Sequence, residues 1–319
     1  MGRSMNCSES QLGSFRAPEG TTRIDAGAIP LVSIVTPSLN MARFLREAIE
    51  SVLSQDYPKV EHIVMDGGST DGTPEILESY GSRLRYRVGR DGGAADAINR
   101  GFRESRGSIL AWLSADDRYY PGAVRLAVEQ LLAAPEACAV YGDAHWIDAS
   151  GETIRPYPTQ PVDANRLGKE CCICQPACFF RRSAFEAVGG LDTTLQSAFD
   201  YDLWIRMAKR YPFRRLPALL AASRMHSTNK TLGQRGQVFE ESIRVVRQHY
   251  HYIPMAWIHA DLCQRMERPD PFPEPLPLHP REFLLSLPLG CWHNRRAMGR
   301  YLLEWTGILA RVASNLVRR

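Results

Sequence analysis

Ile109-Leu110-Ala111-Trp112-Leu113-Ser114-Ala115-Asp116-Asp117 carries an apolar run straight into two adjacent carboxylates. The apolar run predicts a buried strand, and the polar residues after it predict the strand's exit. In an open α/β sheet, ligands bind in the crevice outside the carboxyl ends of the strands. Acidic groups at this point therefore stand where a divalent cation could meet a diphosphate. A plainer reading makes Asp117 the start of the next helix, since Pro121 and Gly122 follow and Asp is a favoured N-cap residue.

The chain upstream repeats one pattern. Leu31 to Thr36 is a β-rich run closed by Pro37, and Phe44 to Leu53 then places Phe44, Leu45, Ala48, Ile49 and Val52 at helical spacing. The alternation continues with a strand at Val60 to Met65, a helix at Thr73 to Tyr80, a strand at Leu84 to Val88, a helix at Ala94 to Glu104 and a strand at Ser108 to Leu113. Such alternation predicts an α/β fold, a mostly parallel sheet flanked by helices. Past the acidic pair we expect a helix at Pro121 to Ala133, a strand at Cys138 to Tyr141, and a hairpin of Trp146 to Asp148 with Thr153 to Tyr157.

The second half is more helical, with helices expected at Arg181 to Val188, Tyr201 to Tyr211 and Gln234 to Tyr250. Six prolines between Pro269 and Pro280 predict a linker. Residues 281 to 319 hold seven arginines and two glutamates, and their last helix is amphipathic. Two uses suit it: packing on the rest of the chain, or lying in an anionic bilayer surface with Tyr301 and Trp305 as interfacial residues. The expected organisation is thus a disordered leader 1–28, an α/β domain 29–230, a helical extension 231–268, the linker 269–280 and basic C-terminal helices 281–319.

Composition narrows the class. With 44% hydrophobic and 23% charged residues over 319 positions, the chain can bury a sizeable core. Its formal charge of +4 is too small to imply nucleic-acid binding. No apolar run reaches the ~20 residues that cross a bilayer, and the N-terminus lacks a signal-peptide core, so we expect a cytoplasmic protein, at most peripheral at the inner face of the membrane. The eight cysteines are expected to be reduced. Cys171, Cys172, Cys174 and Cys178 lack the paired spacing of a zinc site and read as small buried residues.

Asp66-Gly67-Gly68-Ser69-Thr70-Asp71-Gly72-Thr73 lies between a strand and a helix, where glycines let the backbone approach a ligand and the helix N-terminus favours an anion. Four segments in order, Val32 to Asn40, Asp66 to Thr73, Asp91 to Gly101 and Ala111 to Asp117, resemble glycosyltransferase family 2 over roughly Leu31 to Lys230. The last two look most like the branch that builds O-antigen and other bacterial surface polysaccharides on lipid carriers. The resemblance implies the GT-A fold, a Rossmann-like nucleotide-diphospho-sugar transferase with a C-terminal helical extension here. It also implies inverting transfer of a sugar from a nucleotide-diphosphate donor, a UDP-sugar by preference, to a lipid-linked or oligosaccharide acceptor.

By that resemblance Thr36, Pro37, Asn40 and Ser69 line the nucleotide pocket and Asp66 accepts a hydrogen bond from the base. Asp96 and Asn99 fall in the segment that contacts the nucleotide-sugar, and Arg90 just before it is a candidate cation for the leaving diphosphate. Ser114-Ala115-Asp116 occupies the family's Asp-x-Asp position with serine in the first place, which leaves Asp116 as the direct ligand of Mg²⁺ or Mn²⁺ and puts strict metal dependence in doubt. Asp117 and His226 are further candidate ligands. Asp200, where many members carry a Glu-Asp pair, is the expected catalytic base, with Asp202 as its rival. Gln175 and Trp204 are expected on the acceptor side.

Other classes fit the sequence less well. A nucleotidyltransferase would be expected to carry a basic glycine-rich loop after its first strand, which Pro37-Ser38-Leu39-Asn40 is not. A non-catalytic carbohydrate- or nucleotide-binding domain fits the loss of a carboxylate at Ser114. The G-x-G-x-x-G fingerprint of a dehydrogenase is absent.

Overall fold

The computed structural model describes residues 29–266 and 279–317, so the expected leader 1–28 and the linker up to Leu278 lie outside the described residues. In chain order the first half is β1 (Val32–Ser38), α1 (Ala42–Leu53), β2 (Val60–Asp66), α2 (Thr73–Tyr80), β3 (Arg85–Val88), α3 (Ala94–Glu104), β4 (Ile109–Trp112), β5 (Arg118–Tyr119) and α4 (Ala123–Ala133). Then come β6 (Ala139–Ile147), β7 (Thr153–Pro156), α5 (Ala164–Leu167), β8 (Cys178–Arg181), α6 (Arg182–Ala187), α7 (Phe199–Ala208) and β9 (Phe213–Arg224). The C-terminal helices are α8 (Lys230–Gly233), α9 (Arg235–Tyr250), α10 (Met255–Arg265), α11 (Pro280–His293) and α12 (Met298–Val317).

One sheet runs β3-β2-β1-β4-β8-β6-β9-β5, with β7 also paired to β6. Its first half is parallel, as the alternating pattern predicts: Val32 of β1 lies opposite Val60 of β2 and Ile109 of β4. Beyond β4 the sheet is mixed. β8 runs antiparallel between β4 and β6, β9 is parallel to β6, and β5 is antiparallel to β9. Neither β8 nor β9 stands out in the sequence: β8 is four residues long, and β9 opens with Arg214, Arg215 and Pro217, which read as a loop.

Strand side chains alternate between faces, and the core divides accordingly. Val35, Ile63, Leu110 and Trp112 pack with Ile98 and Phe102 of α3, Leu203 and Trp204 of α7, and Val245 and Val246 of α9. Val32, Ile34, Ile109 and Ala111 pack with Ala48 and Val52 of α1 and with Val124, Ala127 and Leu131 of α4. Contact between α3 and β1 is close enough to require glycine at position 101, where a Cβ would lie 2.6 Å from Val35 Cγ1.

The helices α10 to α12 form a separate small core around Tyr252, Ile258, Phe283, Tyr301 and Trp305. Trp305 stacks on Phe283 at 4.4 Å between centroids and donates its Nε1 proton to the Phe283 carbonyl at 3.2 Å. Tyr301 is fully buried and donates to the Ser286 carbonyl at 2.8 Å. Of the two uses open to the last helix, Tyr301 and Trp305 serve packing and not a bilayer surface: they are the inner face of this helix pair.

Candidate active site

The parallel strands β1 to β4 end on one edge of the sheet, and their loops are laced together. Asp66 is 2% exposed, and its carboxylate accepts from the backbone of Gly68 at 3.1 Å and Ser69 at 2.9 Å and from the Ser69 hydroxyl. Ser69 Oγ in turn accepts from Asn40 N at 2.7 Å, and Asn40 Oδ1 accepts from Thr70 N at 2.9 Å. Asn40 holds a φ of 53°, a left-handed conformation that asparagine tolerates better than most residues. Asp66 thus shapes the loop through three accepted hydrogen bonds, which leaves a carboxylate acceptor position for the base it is expected to meet. Thr36 is corrected as a pocket-lining residue: it is fully buried, with its hydroxyl 2.9 Å from His62 Nε2, while Pro37 beside it stays half-exposed.

Across the edge, Gly93 N donates to Asp91 Oδ1 at 2.8 Å and Gly92 N to Asp96 Oδ2 at 2.9 Å. Asp96 also pairs with Arg100 at 2.6 Å. Exposed Arg90 has its backbone close to the Asp66 loop, 3.8 Å from where a Gly68 Cβ would stand. Asn99 ties α3 to the segment before α7, donating to the Leu191 carbonyl at 2.9 Å and accepting from its N–H at 3.0 Å.

At the end of β4 the two carboxylates part company. Asp116 Oδ2 lies 3.0 Å from His226 Nε2, and His226 Nδ1 lies 2.8 Å from the Thr228 hydroxyl. With Nε2 as the donor to the carboxylate, Nδ1 is left to accept from Thr228. Asp117 is 6% exposed and accepts from Arg224 N at 2.8 Å. Burial, and next the charge of Asp116, push its carboxyl well above the ordinary range, despite the opposing hydrogen bond from Arg224. Asp117 is thus engaged with the backbone of β9, and it also lines the cavity described below. Ala115 is 2% exposed and packs beneath the loop.

Arg224 brackets this corner. It is 2% exposed, donates from Nε to the Asp116 carbonyl at 2.8 Å and from Nη1 to the Asp148 carbonyl at 3.1 Å, and pairs with Glu47 at 2.5 Å. Asn229 then donates to the Arg224 carbonyl at 2.6 Å and accepts from Leu232 N at 2.8 Å, which caps α8 and places Lys230.

Beside the acidic corner a cavity of about 630 Å³ opens, lined among others by Ser114, Gln175, Asp200, Lys230 and Trp257. Gln175 is fixed to β4 by a bond from Nε2 to the Trp112 carbonyl at 2.8 Å. Asp200 sits in the first turn of α7, where burial pushes its carboxyl up to about 6 against the opposing pull of the Tyr201 N–H and Lys230. Lys230 donates to the Gln196 carbonyl at 2.5 Å, and burial holds its ammonium below the ordinary lysine range. Cys171, Cys172 and Cys174 line the same cavity as free thiols, their ionisation disfavoured by burial, as expected of small buried residues.

Two expected contacts fall outside the cavity. Trp204 is fully buried and stacks on Trp112 at 5.5 Å, so no acceptor reaches it. Asp202 is 3% exposed and bonds His249 Nε2 and Arg206, each at 2.7 Å; burial alone would raise its carboxyl, but His249 and Arg206 hold it low. It ties α7 to α9 and is no rival to Asp200.

Glu241 of α9 escapes sequence reasoning altogether. Its carboxylate accepts from the backbone of Gln196 at 3.0 Å, Ser197 at 2.8 Å and Ala198 at 3.0 Å, capping α7 from outside. Burial would raise its carboxyl, and the three amides outweigh that and hold it low. Nothing local in the sequence marks it, because the backbone it caps lies over forty residues away.

Among the described residues no three of His, Cys, Asp and Glu gather to hold a cation. Asp116 and His226 fit one when Nδ1 carries the ring proton and donates it to Thr228, which frees the Nε2 lone pair; such ions commonly take one or two protein ligands with substrate phosphates and water.

A family model described as glycosyl transferase family 2 matches residues 33–189. An uncharacterized glycosyltransferase of Rickettsia typhi is 32% identical over 221 residues, 64% of this chain and 68% of that protein. One of Rickettsia felis is 32% identical over 213 residues, and there the chain spans only 35% of the relative's length. The chondroitin synthase of Escherichia coli is 26% identical over 237 residues, 73% of this chain and 34% of the synthase. In fold the chain is similar to S. aureus TarS 1-349 in complex with UDP-GlcNAc, with a TM-score of 0.59 and 13% identity over 85% of this chain and 83% of that one. It is also similar to the mannosyltransferase PcManGT of Pyrobaculum calidifontis in complex with GDP-Man and Mn²⁺, with a TM-score of 0.53 and 20% identity over 92% of this chain and 82% of that one. With these matches and a sheet of GT-A architecture, the chain belongs to glycosyltransferase family 2.

Proposed function

We propose that this glycosyltransferase moves one sugar, with inversion, from a UDP-sugar to a carbohydrate acceptor carried on a lipid, in bacterial surface polysaccharide assembly such as that of O-antigen. The observation that carries the reading is Asp200: a carboxyl raised to about 6 by burial, on the wall of a cavity large enough for a sugar. In the reaction an acceptor hydroxyl oxygen attacks the anomeric carbon, its proton passes to Asp200, and the bond from that carbon to the diphosphate breaks, releasing the nucleoside diphosphate. Ionised above pH about 6, Asp200 is basic enough to accept that proton at neutral pH.

The donor lies across the β1 to β4 loops, with Asn40, Ser69 and Arg90 at its nucleotide end, Pro37 at the end of β1, and Asp96 and Asn99 holding the opposite wall. Asp116 and His226 would hold Mg²⁺ or Mn²⁺, which when bound stabilises negative charge on the departing diphosphate. Ser114 contacts the nucleotide-sugar at the first position of the family's Asp-x-Asp motif, and Gln175 faces the acceptor. The UDP assignment draws support from TarS being complexed with UDP-GlcNAc. The proposed site of action is the cytoplasmic face of the membrane.

Calorimetric titration with UDP, GDP and dTDP, each in Mn²⁺ and again in excess chelator, tests the donor reading. Binding of UDP that weakens on chelation supports it. A preference for GDP or dTDP would replace the donor, and no binding of any of the three would leave a degenerate, non-catalytic domain.

A further inference from the structure

The helix pair α11–α12 exposes an apolar, positively charged face that the site does not use. Seven of the thirteen large exposed hydrophobic side chains among the described residues lie here: Leu284, Leu285, Trp292, Met298, Leu302, Leu303 and Leu309. Leu303 is 76% exposed and Trp292 57%, although the opposite faces of the same helices are sealed by Phe283, Tyr301 and Trp305. On α11 the exposed positions Arg281, Leu284, Leu285, Pro288 and Trp292 recur at helical spacing, one continuous stripe.

Charge selects the occupant. Arg281, Arg295, Arg296, Arg300 and Arg311 are all exposed, while Glu282 is buried and Glu304 is half-buried, accepting from the Tyr252 hydroxyl. Every exposed acidic or basic side chain described on this pair is therefore cationic. A second copy docked face to face would oppose arginine with arginine. An anionic bilayer instead takes the leucines and tryptophan into its headgroup boundary and the guanidinium groups onto its phosphates. No helix among the described residues is long and apolar enough to cross a membrane, so the contact lies along the surface.

We propose that α11–α12 seats the protein on an anionic lipid surface through Leu284, Leu285, Trp292 and Leu303, flanked by Arg295, Arg296 and Arg300. This face is separate from the buried Tyr301 and Trp305, and the inference does not depend on which donor the catalytic site takes.

Cosedimentation of the full chain with vesicles of phosphatidylcholine, alone or mixed with phosphatidylglycerol, tests it. The expected result is retention by the mixed vesicles, weakened by added salt, with neutral vesicles binding far less. Replacing Arg295 and Arg296 by alanine should weaken retention about fivefold per arginine. Leu303→Ser combined with Trp292→Ala should weaken it more than tenfold. UDP binding is measured on each variant as the check of folding, so a failed donor reading and a failed membrane reading are told apart. Equal retention by neutral and anionic vesicles, or wild-type retention by both variants, would overturn the proposal. So would a concentration-dependent dimer that Leu303→Ser dissolves without any binding to vesicles.

Discussion

The loop edge after β1 to β4 and the cavity beside Asp200, the proposed donor and acceptor sites, are built in opposite ways. On the donor edge, short loops between neighbouring strands and helices hold one another: Asp66 bonds Gly68 and Ser69, Asp91 bonds Gly93, and Gly92 bonds Asp96. The cavity is assembled from afar, with Glu241 capping α7, Gln175 bonded to the Trp112 carbonyl, and Lys230 reaching back to Gln196. Local lacing makes an edge preformed and tolerant of single changes. Long-range assembly makes a cavity in which one side chain decides the position or the charge of another.

That contrast can be broken by mutation. The largest effect is expected at Asp200, whose change to Asn should cost transfer about a thousandfold while leaving UDP binding unchanged, by comparison of single-turnover rates and calorimetry. Asp116→Asn should cost about a hundredfold or more and, unlike Asp200→Asn, should also blunt the Mn²⁺ dependence of UDP binding. At Glu241, change to Gln should destabilise the fold by about 2 kcal/mol in urea unfolding, because three backbone amides lose a charged acceptor. It should also lower kcat while sparing donor KM, since only α7 and Asp200 are displaced. Were donor KM to rise instead, the two regions would not be separable. Asn40→Ala, on the laced edge, should weaken UDP binding only a few-fold, roughly the value of one neutral hydrogen bond. Ser114→Asp sharpens the comparison from the other side by tightening Mn²⁺ binding with little change in stability.

The same contrast explains what the sequence made legible. The bounds of α2 and α3, and the parallel half of the sheet, follow from periodicity because each strand there is followed by its own crossover helix. The mixed half does not, since β8 and β9 owe their strand state to the neighbours that flank them. Among site residues, Asp116 stands in one of the four ordered segments, while Asp200 and His226 rest on the family resemblance alone. Thr36, Asp202 and Trp204 carry residue types that suit a site, but strand pleat and helix phase turn them into the core. Glu241 is invisible in sequence because its partners are backbone amides, which leave no pattern.

Burial of Asp200 has a cost that can be measured alongside its function. A carboxyl raised from about 3.9 in the unfolded chain to about 6 contributes stability that is present at low pH and lost as pH climbs through that interval. At neutral pH the loss amounts to at most about 3 kcal/mol, so Asp200→Asn should be more stable than the wild type above pH 6 and no more stable near pH 3.

The most direct test of the central claim is the pH dependence of sugar transfer, or of slow UDP-sugar hydrolysis, in the wild type and in Asp200→Asn. The account predicts an acid limb in the wild type with a midpoint near 6, and a residual rate in the variant that has lost that limb. An unchanged limb in Asp200→Asn, or a variant as fast as the wild type, would contradict Asp200 as the base.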